Sequence, residues 1–135
     1  MLRHLNVVLC DLFHLPFMSG IADGIFFSHV IEHIFPSRIN SALSEFKRVL
    51  KKGGRLVIIT PMEHPWFWIE GHVVVYNENK LRKLLLSTGF IPLGIMPDKK
   101  ILRLPLSVWM IRLLNFSPVY FLRTNILAVG IVRKQ

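Results

Sequence analysis

The chain has 135 residues, with 17 lysines and arginines against 8 acidic residues, a formal charge of +9 and a mean hydropathy of +0.46. That length is one domain, and its apolar content demands either a large core or apolar surface that something else covers. The basic residues are scattered, with nothing denser than Lys51-Lys52 or Lys99-Lys100, which argues against a nucleic-acid partner, and no uncharged run reaches the ~18 residues of a membrane span.

Leu5 to Cys10 reads as a short apolar strand closed by Asp11, and its lone cysteine as a buried structural thiol that can form no internal disulfide. This run is too short for a signal peptide, so a cytoplasmic location is expected. Asp11 then stands at the carboxyl end of a strand, the place where open α/β sheets hold their ligands. The alternative is a loop Asp that starts the turn before Leu15-Pro16. Met18 to Ala22 is a turn, and Gly24 to Phe27 a second strand. Ser28, His29, Glu32 and His33 follow its end, and a histidine is the side-chain type best suited to act as a general base near neutral pH. His29, Glu32 and His33 stand at i, i+3 and i+4, a spacing that converges on a cation only within a helix, so no metal is assigned. For His33 a capping or core-edge role is the competing reading.

Pro36 suits a helix start, and Ile39, Leu43, Phe46, Val49 and Leu50 form an apolar stripe down to about Leu50. Gly53 and Gly54 are read as two positive-φ residues turning the chain sharply. Leu56 to Ile59 is an apolar run without alternation, the pattern of a strand covered on both faces, and Thr60-Pro61 ends it. His64, Trp66, Phe67, Trp68 and His72 are candidates for lining a pocket, or plain loop anchors. Glu78 to Ser87 is a helix with Leu81, Leu84 and Leu85 on one face and Gly89 beyond its end. Phe90 to Met96 and Ile126 to Val132 are closing strands. Between them, 101–122 is an apolar insertion containing Leu106, Trp109, Met110, Leu113 and Leu114, which packs on the domain, lids a greasy substrate or lies on a membrane surface.

Arg48-Val49-Leu50-Lys51-Lys52-Gly53-Gly54 resembles the R-V-L-K-P-G-G signature of class I S-adenosylmethionine-dependent methyltransferases, the broad group that includes ubiquinone-pathway O-methyltransferases. Asp11 to Phe17 is similar to their D-x-x-x-L-P-F segment, and Ser28 to His33 to the segment ending in E-H after their fourth strand, where His29, Glu32 and His33 resemble the E-x-x-E-H cluster that can hold a divalent cation in the ubiquinone-type enzymes, with His in place of the first Glu. The resemblance implies a partial Rossmann-like α/β sheet, mostly parallel, with an antiparallel C-terminal pair. It implies strand order 3-2-1-4-5-7-6 with the first two strands missing, since no D-x-G-x-G-x-G turn occurs in the sequence. It implies S-adenosylmethionine as cofactor, with Asp11, Leu12 and Ser28 on its side and His29, Glu32 and His33 near the transferred methyl. Methyl transfer to a small or lipid-like acceptor is the expected activity. The alternative is a non-catalytic scaffold whose exposed sheet edge a second copy or a partner chain covers.

Overall fold

The computed structural model describes residues 6–62, 70–98 and 125–133. The expectations for the Trp66 segment and for the insertion at 101–122 fall outside them. Strands β1 (Ala22–Ser28), β2 (Leu50–Pro61), β3 (Phe90–Asp98) and β4 (Asn125–Val132) form one sheet in the order β1-β2-β4-β3. β1 and β2 are parallel, and β4 runs antiparallel to both of its neighbours. This is the 4-5-7-6 portion of the expected order, and the fold is α/β with a partial Rossmann-like sheet.

Helix α1 (Pro36–Val49) makes the crossover from β1 to β2. Proline occupies its first turn, where a missing N–H costs nothing, and Phe35 before it offers no side-chain cap. Ile39, Ala42, Leu43, Phe46 and Val49 are buried, and the Phe46 ring meets Phe27 of β1 edge-on with centroids 4.9 Å apart. Helix α2 (Glu78–Ser87) is capped by Asn77, whose side chain accepts from the Lys80 amide. Its buried Leu81 and Leu85 pack toward β3 and β4, where a side chain on Gly130 would meet Leu85 at 3.0 Å and Phe90 at 3.2 Å. Leu56, Ile58, Ile126 and Ala128, all fully buried, complete the core. Each large aliphatic residue there contributes about 1.5–3 kcal/mol.

The glycine pair behaves differently from its reading as a double turn. Gly53 alone takes a positive φ, of 79°. Gly54 is needed for space, since a Cβ there would lie 2.8 Å from the Lys51 carbonyl oxygen and 3.3 Å from that of Ala22. Strand β2 continues past the pair, but its ladder to β1 jumps from Ala22–Leu50 to Gly24–Arg55, so residues 51–54 bulge out of the pairing.

Residues 6–10 form no strand. Val7 and Leu9 are 84% and 101% exposed, and Cys10 is exposed rather than buried. An apolar run becomes a strand only where a neighbour supplies hydrogen-bond partners, and among the described residues none lies beside it. The same lack leaves the outer edge of β1 open. Leu12, Leu15 and Phe17 on one side and Phe46 and Val49 on the other flank a groove of about 510 Å³ along Gly24 to Phe27. The opposite edge, β3, carries Pro92 and Pro97, which withhold donors from any further strand.

What holds the segment from Asp11 to Ser19 against α1 is a clamp. The Arg48 guanidinium donates to both Glu45 carboxylate oxygens, at 2.8 and 2.6 Å, and to the carbonyls of Leu15 and Phe17 at 3.0 and 2.8 Å. Glu45 in turn accepts the Leu15 amide at 2.8 Å. The Arg48 hydrogen bonds, helped by that amide, hold the Glu45 carboxyl down at about 2. The arginine of the R-V-L motif therefore has a structural task, which is to fasten the loop that carries Asp11 and Leu12.

Two outcomes are expected. Gly54→Ala lowers the urea midpoint by an amount equivalent to about 1–3 kcal/mol, because backbone oxygens crowd the new methyl. Since the folded pKa of Glu45 is depressed, the clamp stabilises fully above the ordinary carboxylate pKa of 4.5 and its contribution is lost as pH falls toward about 2. Thermal unfolding followed across that window should show a steeper loss for the natural chain than for Glu45→Gln.

Candidate functional site

β1 delivers the chain to its site through a strained residue. Ser28, half-buried, is the last residue of the strand and pairs with Ile59 of β2. His29 then turns out of the sheet with φ of 53°, a left-handed conformation that glycine usually supplies, while its amide still donates to the Ile59 carbonyl at 2.8 Å. Such a conformation costs about 1–3 kcal/mol and persists where the surroundings hold it. Ile31–His33 form a single 3₁₀ turn, and this turn drives Glu32 inward.

Glu32 is 2% exposed. The Thr60 hydroxyl, from the end of β2, donates to its Oε2 at 3.0 Å, and Nδ1 of His29 lies 3.5 Å from its Oε1. Its backbone carbonyl accepts the amides of Val73 and Val74 at 2.9 and 3.2 Å. One residue thus holds together the end of β1, the end of β2 and the arm leading to α2. His33 adds a second tie, donating from Nδ1 to the Gly71 carbonyl at 2.8 Å, with its ring edge-on to His72 at 4.9 Å between centroids. Tyr76, 5% exposed, has its phenol pushed up to about 12, by burial first and by the Glu32 charge second, so it stays protonated at neutral pH.

His29, Glu32 and His33 are therefore brought together as a contiguous group, though not on an α-helix. The 3₁₀ turn separates the two histidines: His29 faces the Glu32 carboxylate and His33 faces the 71–72 loop. Asp11 and Leu12 make none of these contacts. The Asp11 carboxylate accepts the Phe13 amide at 3.0 Å and meets His14 Nδ1 at 3.0 Å, contacts that hold its pKa below the usual value, the Phe13 amide foremost. That is the turn-starting geometry. Arg38 stacks its guanidinium 3.6 Å from the centre of the Phe13 ring and fixes the turn to α1. Leu12, half-buried, lines the groove beside β1.

Sequence reasoning missed Thr60 as a partner of Glu32. The available signal was a hydroxyl residue ending an otherwise aliphatic buried strand, which must find an acceptor. Among the described residues no buried side-chain nitrogen or oxygen lacks one. No helix among them is long and apolar enough to cross a membrane.

Residues 2–58 match the model of the methyltransferase domain family. No curated protein matches the sequence. The fold is similar to that of an S-adenosylmethionine-dependent methyltransferase from Archaeoglobus fulgidus, with a TM-score of 0.67 at 21% identity over 93% of this chain. It is also similar to 1,6-didemethyltoxoflavin-N1-methyltransferase from Burkholderia thailandensis, solved with its substrate and S-adenosylhomocysteine, with a TM-score of 0.68 at 14% identity over 94% of this chain. A third similar structure is a chain from the complex between the Haloferax volcanii Trm112 methyltransferase activator and its methyltransferase, with a TM-score of 0.69 at 15% identity over 94% of this chain. The chain spans 67%, 50% and 61% of the length of those three. Residues 2–58 are thus similar to the methyltransferase domain family, and the 4-5-7-6 sheet gives the chain a partial class I methyltransferase fold.

Proposed function

We propose that this chain carries the acceptor side of an S-adenosylmethionine-dependent methyltransferase acting on a small molecule. The observation that supports it best is the arrangement of His29, Glu32 and Thr60 beyond the carboxyl ends of β1 and β2, where ligands of such sheets bind. The Burkholderia structure holds a small-molecule acceptor and the demethylated cofactor together on this fold.

The residues present fit one part of the cofactor. Leu12 offers an apolar wall for the adenine ring, and Asp11, kept ionised by the Phe13 amide and His14, offers an acceptor for its amino group. Ser28 would meet the cofactor between that wall and the transfer end. The sequence contains no glycine-rich turn and no acidic strand end for the ribose, so those contacts come from elsewhere.

S-adenosylmethionine, when bound, supplies an electrophilic methyl group. The chain's own task is then to align the acceptor and take its proton. His29 is placed for this. With Nδ1–H directed at the Glu32 carboxylate, Nε2 keeps a lone pair for an acceptor hydroxyl or amine, and the ring is about half exposed. Glu32 positions the ring, and Thr60 positions Glu32. His33 positions the 71–74 arm at the side of the pocket.

A second reading has its own observation, the open edge of β1 with its apolar groove. A partner chain or a second copy seated there would supply the missing wall, and this chain alone would then be a scaffold. The Haloferax structure is a complex of a methyltransferase with an activator chain.

Calorimetric titration of the folded chain with S-adenosylmethionine separates the two. Binding heat is expected on the first reading, and its absence from a folded chain leaves only the second. In a radiolabelled methyl-transfer screen over hydroxyl and amine acceptors, His29→Ala should lower turnover by about 10²-fold or more while cofactor affinity is retained.

A further inference from the structure

Successive residues of a strand point to opposite faces, so the ladder registers sort the side chains of the sheet into two sets. Phe27, Leu56, Ile58, Ile126 and Ala128 face α1 and α2 and share one buried core with them. The other set crosses the sheet in rows, Phe26 beside Val57 beside Val129, and Ile59 beside Leu127 beside Met96. It is apolar too, yet none of these residues is part of that core, and Phe26 and Met96 are 69% and 54% exposed. We propose that this second face is the seat of residues 99–124 of the same chain.

Three observations carry the inference. The first is that the face needs a cover. Four strands ~4.8 Å apart, with about five residues each at ~3.3 Å, present a few hundred Å² of apolar surface, about the most that a soluble chain leaves bare. Both α-helices among the described residues lie on the opposite side.

The second is where the chain leaves the sheet. Asp98 ends β3, Asn125 begins β4, and the two are register partners in the row of the same face that follows Met96 and Leu127. A loop of about two to five residues is enough to join such neighbours. Residues 99–124, which lie outside the described residues, far exceed that, and both of their ends are fastened at the border of the bare face. Tethering gives such a segment an effective concentration on the order of millimolar. A second copy has to approach against a formal charge of +9 on each partner.

The third is the match of sequence to surface. Leu106, Trp109, Met110, Leu113 and Leu114 recur at the spacing of one apolar stripe. The face that carries the helices has no room for it, since a Cβ on Gly130 would already meet Leu85 at 3.0 Å and Phe90 at 3.2 Å. The groove along β1 lies at the far border of the sheet, whereas the second face begins where the segment does. The seat stands on the register of the four strands and does not require methyl transfer.

The test times maleimide labelling of the full chain carrying Cys10→Ser and one new cysteine. Val129→Cys probes the second face, Ala128→Cys the helix face, and Leu86→Cys the exposed side of α2. Val129→Cys is expected to label roughly ten-fold more slowly than Leu86→Cys. Leu106→Ser, Trp109→Ser and Leu113→Ser made together should raise its rate about ten-fold while Ala128→Cys stays protected. Should the triple change also open Ala128→Cys, Trp109→Ser alone, read by the same two probes, decides. The proposal is overturned if Val129→Cys labels as fast as Leu86→Cys, or if the serine substitutions leave its rate unchanged. It is equally overturned if protection vanishes as light scattering shows a dimer diluting to monomer, the mark of a second copy on this face.

Discussion

The withdrawal of the Glu32 carboxylate from water is the constraint around which this end of the sheet is organised. A charge in that position needs polar partners, and the chain supplies them from elements far apart in sequence: Thr60 at the end of β2 donates a hydrogen bond, and the His29 ring leaving β1 lies 3.5 Å away. The residue's backbone meanwhile holds the 73–74 amides. Burying one polar group correctly thus fixes the relative placement of two strand ends and an arm. The left-handed turn at His29 belongs to the same arrangement, since it lets the ring come back over the carboxylate its own strand delivers.

A second polar cluster does comparable work on the far side of α1. Glu45 and Arg48 sit one turn apart on the helix and between them satisfy the backbone at Leu15 and Phe17. The segment so held has no strand or helix of its own to order it. Its conformation is borrowed from the helix. Lys51 and Asp23, paired at 2.7 Å, add a more exposed link between β2 and β1 that is worth little by comparison.

Much of the architecture was legible in the sequence because it rests on local patterns. The apolar stripe of α1, the leucine face of α2 and the aliphatic run of β2 all declare themselves within a few residues, and the motif running from Arg48 to Gly54 ties two of them together. The failures have a common cause, which is dependence on something distant. Leu5 to Cys10 reads as a strand, yet a strand is a relation between two segments, and among the described residues none lies beside residues 6–10. Gly54 looks like a turn residue, but its reason is the approach of the Lys51 and Ala22 carbonyls. At the site, the residues from Ser28 to His33 were legible as a cluster. Thr60 and His72 as partners were not, because they reach it only through the folding of β2 and the 70–76 arm.

The two borders of the sheet are unequal. Proline interrupts β3, whereas β1, which has no outer neighbour among the described residues, presents Phe26, 69% exposed. Runaway fibre growth by edge stacking requires two receptive sides per molecule, one to join and one to be joined. Among the described residues this sheet has one, so a strand added along β1 cannot pass the pairing on through β3.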